Sequence, residues 1–147
     1  MEHFEEITKS PMYLKAKEIF DAVKRIAELI DEEDKMLGLV KDIMMSLAVS
    51  LPSKIAGASV VEYYDLKMEY AALIRKDARE LKLQNHSLKA HNFEHVEYYN
   101  IVRDLIDEFR LLFIAWVADF DKTNYIIDEW GLFNPDGVSP FDKDDDE

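Results

Sequence analysis

Cysteine is absent from the 147 residues, which excludes disulfides, thiolate metal sites and cysteine nucleophiles. Glycine and proline number only four each, too few turn-formers for a sheet protein and well suited to long helices with short connections. No uninterrupted apolar run approaches the ~20 residues that span a bilayer. The longest, Leu111 to Ala118, has eight. The opening Met1-Glu2-His3-Phe4-Glu5-Glu6 lacks the basic and apolar regions of a signal peptide. A cytoplasmic location without membrane contact is therefore expected. There is also no glycine-rich phosphate loop and no serine in a nucleophile elbow.

What is present suits one helical domain. The chain is 48% apolar and 33% charged, and its length allows roughly two thirds of the unfolded surface to be buried. Its 18 basic residues against 31 acidic ones give a net charge of −13. The last six residues, Asp142 to Glu147, hold five acids and one lysine, hence −4 of that total. So acidic a surface repels phosphate backbones unless one face gathers its cations, and nucleic-acid binding is disfavoured.

Residues 1–9 read as a frayed acidic lead-in. Ser10-Pro11 marks a helix start, with serine as N-cap and proline in the first turn. Leu14, Ile19, Phe20, Val23, Ile26, Ala27 and Ile30 then recur at helical spacing to about Asp31. A second helix from about 34 to 57 carries Leu37, Val40, Ile43, Met44, Leu47, Ala48, Leu51 and Ile55. Pro52 sits inside it, at a cost of ~3 kcal/mol for an interior proline, and the apolar phase runs on without a slip. The expectation is one helix kinked at Pro52 and stopped by Gly57, with Ser50 and Ser53 bonding carbonyls freed at the kink. Ser59-Val60-Val61-Glu62 fits a capping box opening a third helix, which fades over Gln84 to Ser87. Asn92 is placed to cap the last helix, whose stripe runs from Val96 to Phe120. Residues 1–133 are read as one four-helix-bundle domain, with Trp130, Leu132 and Phe133 folding back on it. Residues 134–147 form an acidic tail.

Chemistry is sparse. His91 and His95, four apart, could share a helix face and hold a divalent metal, but near a surface end the plain expectation is solvated side chains. A dinuclear carboxylate site needs Glu-x-x-His on two helices, and the chain has none. Tyr63, Tyr64, Tyr70, Tyr98 and Tyr99 read as packing residues. No enzymatic activity and no cofactor are expected. Two surfaces remain. Arg75, Lys76, Arg79, Lys82 and Lys89 form a candidate basic stripe for nucleic acid, interrupted by Asp77 and Glu80. Leu111, Phe113, Ile114, Trp116 and Val117 belong to a stretch apolar on every side, which implies cover by a second subunit.

The block Ala48-Val49-Ser50-Leu51-Pro52-Ser53-Lys54-Ile55-Ala56-Gly57 resembles the signature of the bacterial four-helix-bundle family found in 23S rRNA intervening-sequence proteins, which has relatives among diversity-generating retroelement accessory proteins. Ala48, Val49, Ser50, Pro52, Ser53, Ile55 and Ala56 match. Lys54 replaces the family asparagine, and Gly57-Ala58 replaces its Glu-Gly. Arg75 and Glu80-Leu81 look like the family's arginine and Glu-Leu on the third helix, at a spacing a few residues longer. The resemblance implies an up-down-up-down bundle and a ring-shaped homopentamer, and no enzyme. In the retroelement relatives it implies an accessory role to a reverse transcriptase and nucleic acid, carried by basic surfaces that this acidic chain lacks.

Overall fold

The computed structural model describes residues 2–143 and is all-α, with no strand among the described residues. The helices are α1 (Glu2–Thr8), α2 (Pro11–Ala27), α3 (Lys35–Ser59), α4 (Tyr64–Lys82), α5 (Gln84–Ala90) and α6 (Tyr99–Ala118), the last entered through a 3-10 turn at Val96–Tyr98. The expected acidic tail extends beyond this range, and residues 144–147 lie outside the described residues.

The starts of α2 and α3 follow their caps. Ser10 Oγ accepts from the Tyr13 amide at 3.2 Å, and Pro11 occupies the first turn. Asp34 Oδ1 accepts from the Leu37 amide at 3.0 Å. Elsewhere the boundaries differ from expectation. The lead-in is helical: α1 lies against α3, with Ile7 packed on the core. Helix α2 ends at Ala27 rather than near Asp31. Its core face is turned so that Met12 and Ala16 are buried while Leu14 is exposed.

Gly57 does not stop α3, which continues to Ser59 because Ala58 still faces the core at 0% exposure. Ser59 therefore closes that helix, donating to the Ala56 carbonyl at 2.6 Å, and no capping box forms. The cap position of α4 is Tyr63, without a side-chain bond. Asn92 instead takes a left-handed turn conformation (φ 61°) well before α6. The third helical run breaks at Leu83, separating α4 from α5.

Helix α3 packs between α2 and α4, and α2 also packs on α6. The remaining seam, α4 against α6, has the sparsest contact of the long-helix neighbours. The core is shared by all four: Ile19 and Val23 from α2, Met44, Leu51 and Ile55 from α3, Ile74 and Leu81 from α4, and Val102, Ile106 and Phe109 from α6. Burying each large aliphatic contributes about 1.5–3 kcal/mol. Tyr99 is also fully buried, and its hydroxyl donates to the Leu81 carbonyl at 2.5 Å, beside the α4–α5 break. Burial pushes its phenol well above the usual tyrosine range.

Helix α3 is long and apolar enough to cross a membrane by length and composition, with mean hydropathy 1.3 over its best 18-residue window. It escaped the run-based reading because Lys41, Asp42 and Lys54 interrupt it. Its buried face supplies the centre of the core.

Candidate functional site

Pro52 is buried inside α3 and the helix carries through it. Lacking an N–H, proline leaves the Ala48 carbonyl without its usual partner. The flanking serines bond the carbonyls on either side of that one. Ser53 Oγ donates to Val49 O at 2.9 Å, and Ser50 Oγ lies 2.7 Å from Leu47 O. Ser50 Oγ is also 2.7 Å from Asp77 Oδ2, so one hydroxyl proton is shared between two acceptors. Lys54 Nζ pairs with the same carboxylate oxygen. Asp77 is the one buried charged side chain among the described residues, and these partners explain how it is tolerated there. It ties α4 to α3 at the proline. Gly57 serves the same contact, since a Cβ there would stand 2.9 Å from the Tyr70 ring. Lys54 and Asp77 thus form a polar clamp between α3 and α4.

The basic stripe splits. Lys76 turns outward to Glu80 at 3.6 Å, and Lys89 lies on α5. Arg75, Arg79 and Lys82 come together on the α4–α6 seam, where Arg110 of α6 joins them. They border a groove of about 480 Å³ floored by Ala78, Ile106, Phe109 and Phe113. Three of the chain's five arginines line it. Lys82 is paired with Asp107 at 2.5 Å. Arg75, Arg79 and Arg110 have no carboxylate within ion-pair distance among the described residues. Arg110 was missed from the sequence because nothing local joins it to α4; its one signal was a lone cation directly before the apolar stretch that opens at Leu111.

Beside the groove lies the second surface. None of the eight side chains from Leu111 to Ala118 is buried. Leu111 is 63% exposed and Ile114 49%, while Phe113, Trp116 and Val117 are half-buried. Phe113, Trp116 and Phe120 form an aromatic row, with ring centroids 5.9 and 4.7 Å apart. The row covers one side of α6 and leaves the other apolar side open.

The histidine pair does not share a helix face. Residues 91–95 are turn, with His91 closing α5. His95 is held between Phe93 and Tyr98, at 5.8 and 5.6 Å between ring centroids. Among the described residues no three His, Asp or Glu side chains converge as a metal site would require. After Ala118 the chain crosses the start of α4: the Tyr64 amide donates to Asn124 O at 2.8 Å and the Ile126 amide to Asp65 Oδ1 at 3.0 Å. Of the three side chains expected to fold back, Phe133 is half-buried, while Trp130 and Leu132 are exposed.

No family model matches the chain, and no curated protein or solved structure matches it.

Proposed function

We propose that this chain is a non-enzymatic assembly module, an up-down-up-down four-helix bundle of α2, α3, α4 and α6 that self-associates in the cytoplasm through the second half of α6. The observation that carries this reading is the stretch Leu111 to Ala118, eight apolar residues in succession with none buried. An apolar helix surface of that kind is covered by something in a working protein. A second copy is the simplest cover, since every copy carries the same exposed stretch and can cover a neighbour's. Membership of the 23S rRNA intervening-sequence family, with its ring of bundles, fits the α3 block, where Ser50, Pro52 and Ser53 lie on one helix that continues through the proline.

Light scattering on the purified chain tests the reading. The expected mass is a multiple of 17.2 kDa. Leu111→Asp, at a site half a turn from the core face, should shift that mass to the monomer while the circular dichroism stays helical. A native chain that remains monomeric at high concentration refutes self-association.

A further inference from the structure

We propose that the α4–α6 groove is the docking site for the acidic segment Asp144 to Glu147 of its own chain, which straps across Arg75, Arg79 and Arg110. The contact is made within one chain and stands or falls independently of self-association.

Charge selects the occupant. Arg75, Arg79 and Arg110 are exposed and stand without carboxylate partners among the described residues, on a protein whose net charge is −13. A guanidinium group matches a carboxylate in both charge and geometry. Asp144-Asp145-Asp146-Glu147 offers four carboxylates in succession. One exposed ion pair is weak, so the contact depends on several arginines acting together. Laid across the three arginines, the segment covers the apolar floor that they border. A separate polyanion gains the same ion pairs but must first approach an acidic body.

The segment also starts in the right place. Asp142 lines a hollow together with Asp65, Leu66 and Glu69 of α4, and its carboxylate accepts from the Ser139 amide at 2.9 Å. At ~1.5 Å and ~100° per residue, Arg75 lies ~9 Å along the helix from Glu69 and ~120° around it, and Arg79 lies ~15 Å along and ~80° around. Lys76, only ~20° around from Glu69, stands on the way. On a helix of ~5–6 Å radius the surface path from Glu69 to Arg75 is ~15 Å. Residues 143–147 reach about 17 Å from Asp142 when extended, and the long arginine side chains shorten what must be crossed. Tethering then decides between this chain and another. A segment held so close meets the groove at an effective concentration on the order of millimolar, which a separate copy matches only when the protein itself is that concentrated.

The side-chain Nε–Hε resonances of the arginines test the contact one residue at a time. The native chain is compared with a full chain carrying Asp144→Asn, Asp145→Asn, Asp146→Asn and Glu147→Gln, changes that touch no core residue. The resonances of Arg75, Arg79 and Arg110 should move between the two, while that of Arg25, on α2, stays in place. Salt at about 1 M, where the screening length falls to about 3 Å, should carry the native resonances toward the neutralised positions. If none of the three moves, or Arg25 moves as far as they do, the strap is refuted. A mixture identifies the donor. The neutralised chain, labelled with nitrogen-15, is combined with an excess of unlabelled native chain, and its three resonances should stay where neutralisation left them. Their return to the native positions would mean that a neighbour's segment fills the groove, and overturns the proposal. So does a short single-stranded RNA that displaces the three resonances of the native chain as readily as those of the neutralised one, because the groove would then stand open.

Discussion

Two stretches of this chain read alike and are used in opposite ways. Leu47 to Ala58 on α3 and Leu111 to Ala118 on α6 are both apolar, helical and poor in charge. In the first, Ala48, Leu51, Pro52, Ile55 and Ala58 are all buried. In the second nothing is. The difference comes from neighbours: α3 lies between α2 and α4, whereas α6 packs on α2 and meets α4 only across the sparse seam that borders the groove. Small residues at 48, 57 and 58 let α4 approach α3, and the Ser50–Asp77–Lys54 cluster fixes that approach. Across the α4–α6 seam the Lys82–Asp107 pair and the Tyr99 hydroxyl on the Leu81 carbonyl both sit at the end of α4, away from the second half of α6. Apolar composition says that a surface must be covered, and only the packing says by what.

The largest expected contrast comes from truncating one leucine in each stretch. Leu51→Ala removes a side chain of 0% exposure and leaves a cavity, so it should cost about 2–5 kcal/mol in denaturant unfolding. Leu111→Ala, at 63% exposure, should leave the unfolding free energy of the isolated chain within about 0.5 kcal/mol. Similar losses at both positions would dissolve the distinction between the stretches.

A smaller effect tests the same contrast from the opposite direction. Ala48 is fully buried where α3 meets its neighbours, and Ala48→Leu should destabilise by about 1–3 kcal/mol through overpacking. Ala115 is exposed, and Ala115→Leu should be tolerated. The comparison is sharpest as paired melting curves. Equal melting temperatures for the two variants would mean that α3 is not closely packed at Ala48.

Much of the helical layout was legible because it is written locally. Ser10-Pro11 and the apolar phase through Pro52 each encode their structure within a few residues. The misplaced boundaries share one cause, tertiary contact overriding a local signal. Gly57 has the residue type of a helix stop, but the burial of Ala58 keeps α3 going, and Ser59 is thereby consumed as an end instead of a start. Leu14 fits the helical spacing of α2 and is exposed, because Met12 and Ala16 face the core in its place. The candidate site was half legible. Arg75, Arg79 and Lys82 were visible on one helix, but Arg110 joins them only through the pairing of α4 with α6. Lys76 and Lys89 drop out for the same reason.

A third region sharpens the comparison, since it is ordered without being buried. Between Asp128 and Asn134 the exposed Trp130 and Leu132 contribute little packing, and one carboxylate organises the turn. Asp128 accepts from the amides of Phe133, Trp130 and Leu132, each at 2.9 Å, while Asn134 bonds the Asp128 backbone at both its amide and its carbonyl. The Phe133 amide, followed by that of Trp130, holds the Asp128 carboxyl below its ordinary value. A group depressed in this way binds its proton less readily in the ordered turn than in the free chain. Its contribution is therefore complete above the ordinary carboxylate pKa of about 3.9 and is lost as pH falls through the lower value of the ordered turn. The amide resonances of Trp130, Leu132 and Phe133 should accordingly hold steady from neutral pH to about 4 and move together below it. Asp128→Asn should remove that acid step and shift the same three amides already at neutral pH, leaving those of α3 in place. If the three amides titrate independently, or Asp128→Asn leaves their neutral-pH positions unchanged, the turn is held by something other than this carboxylate.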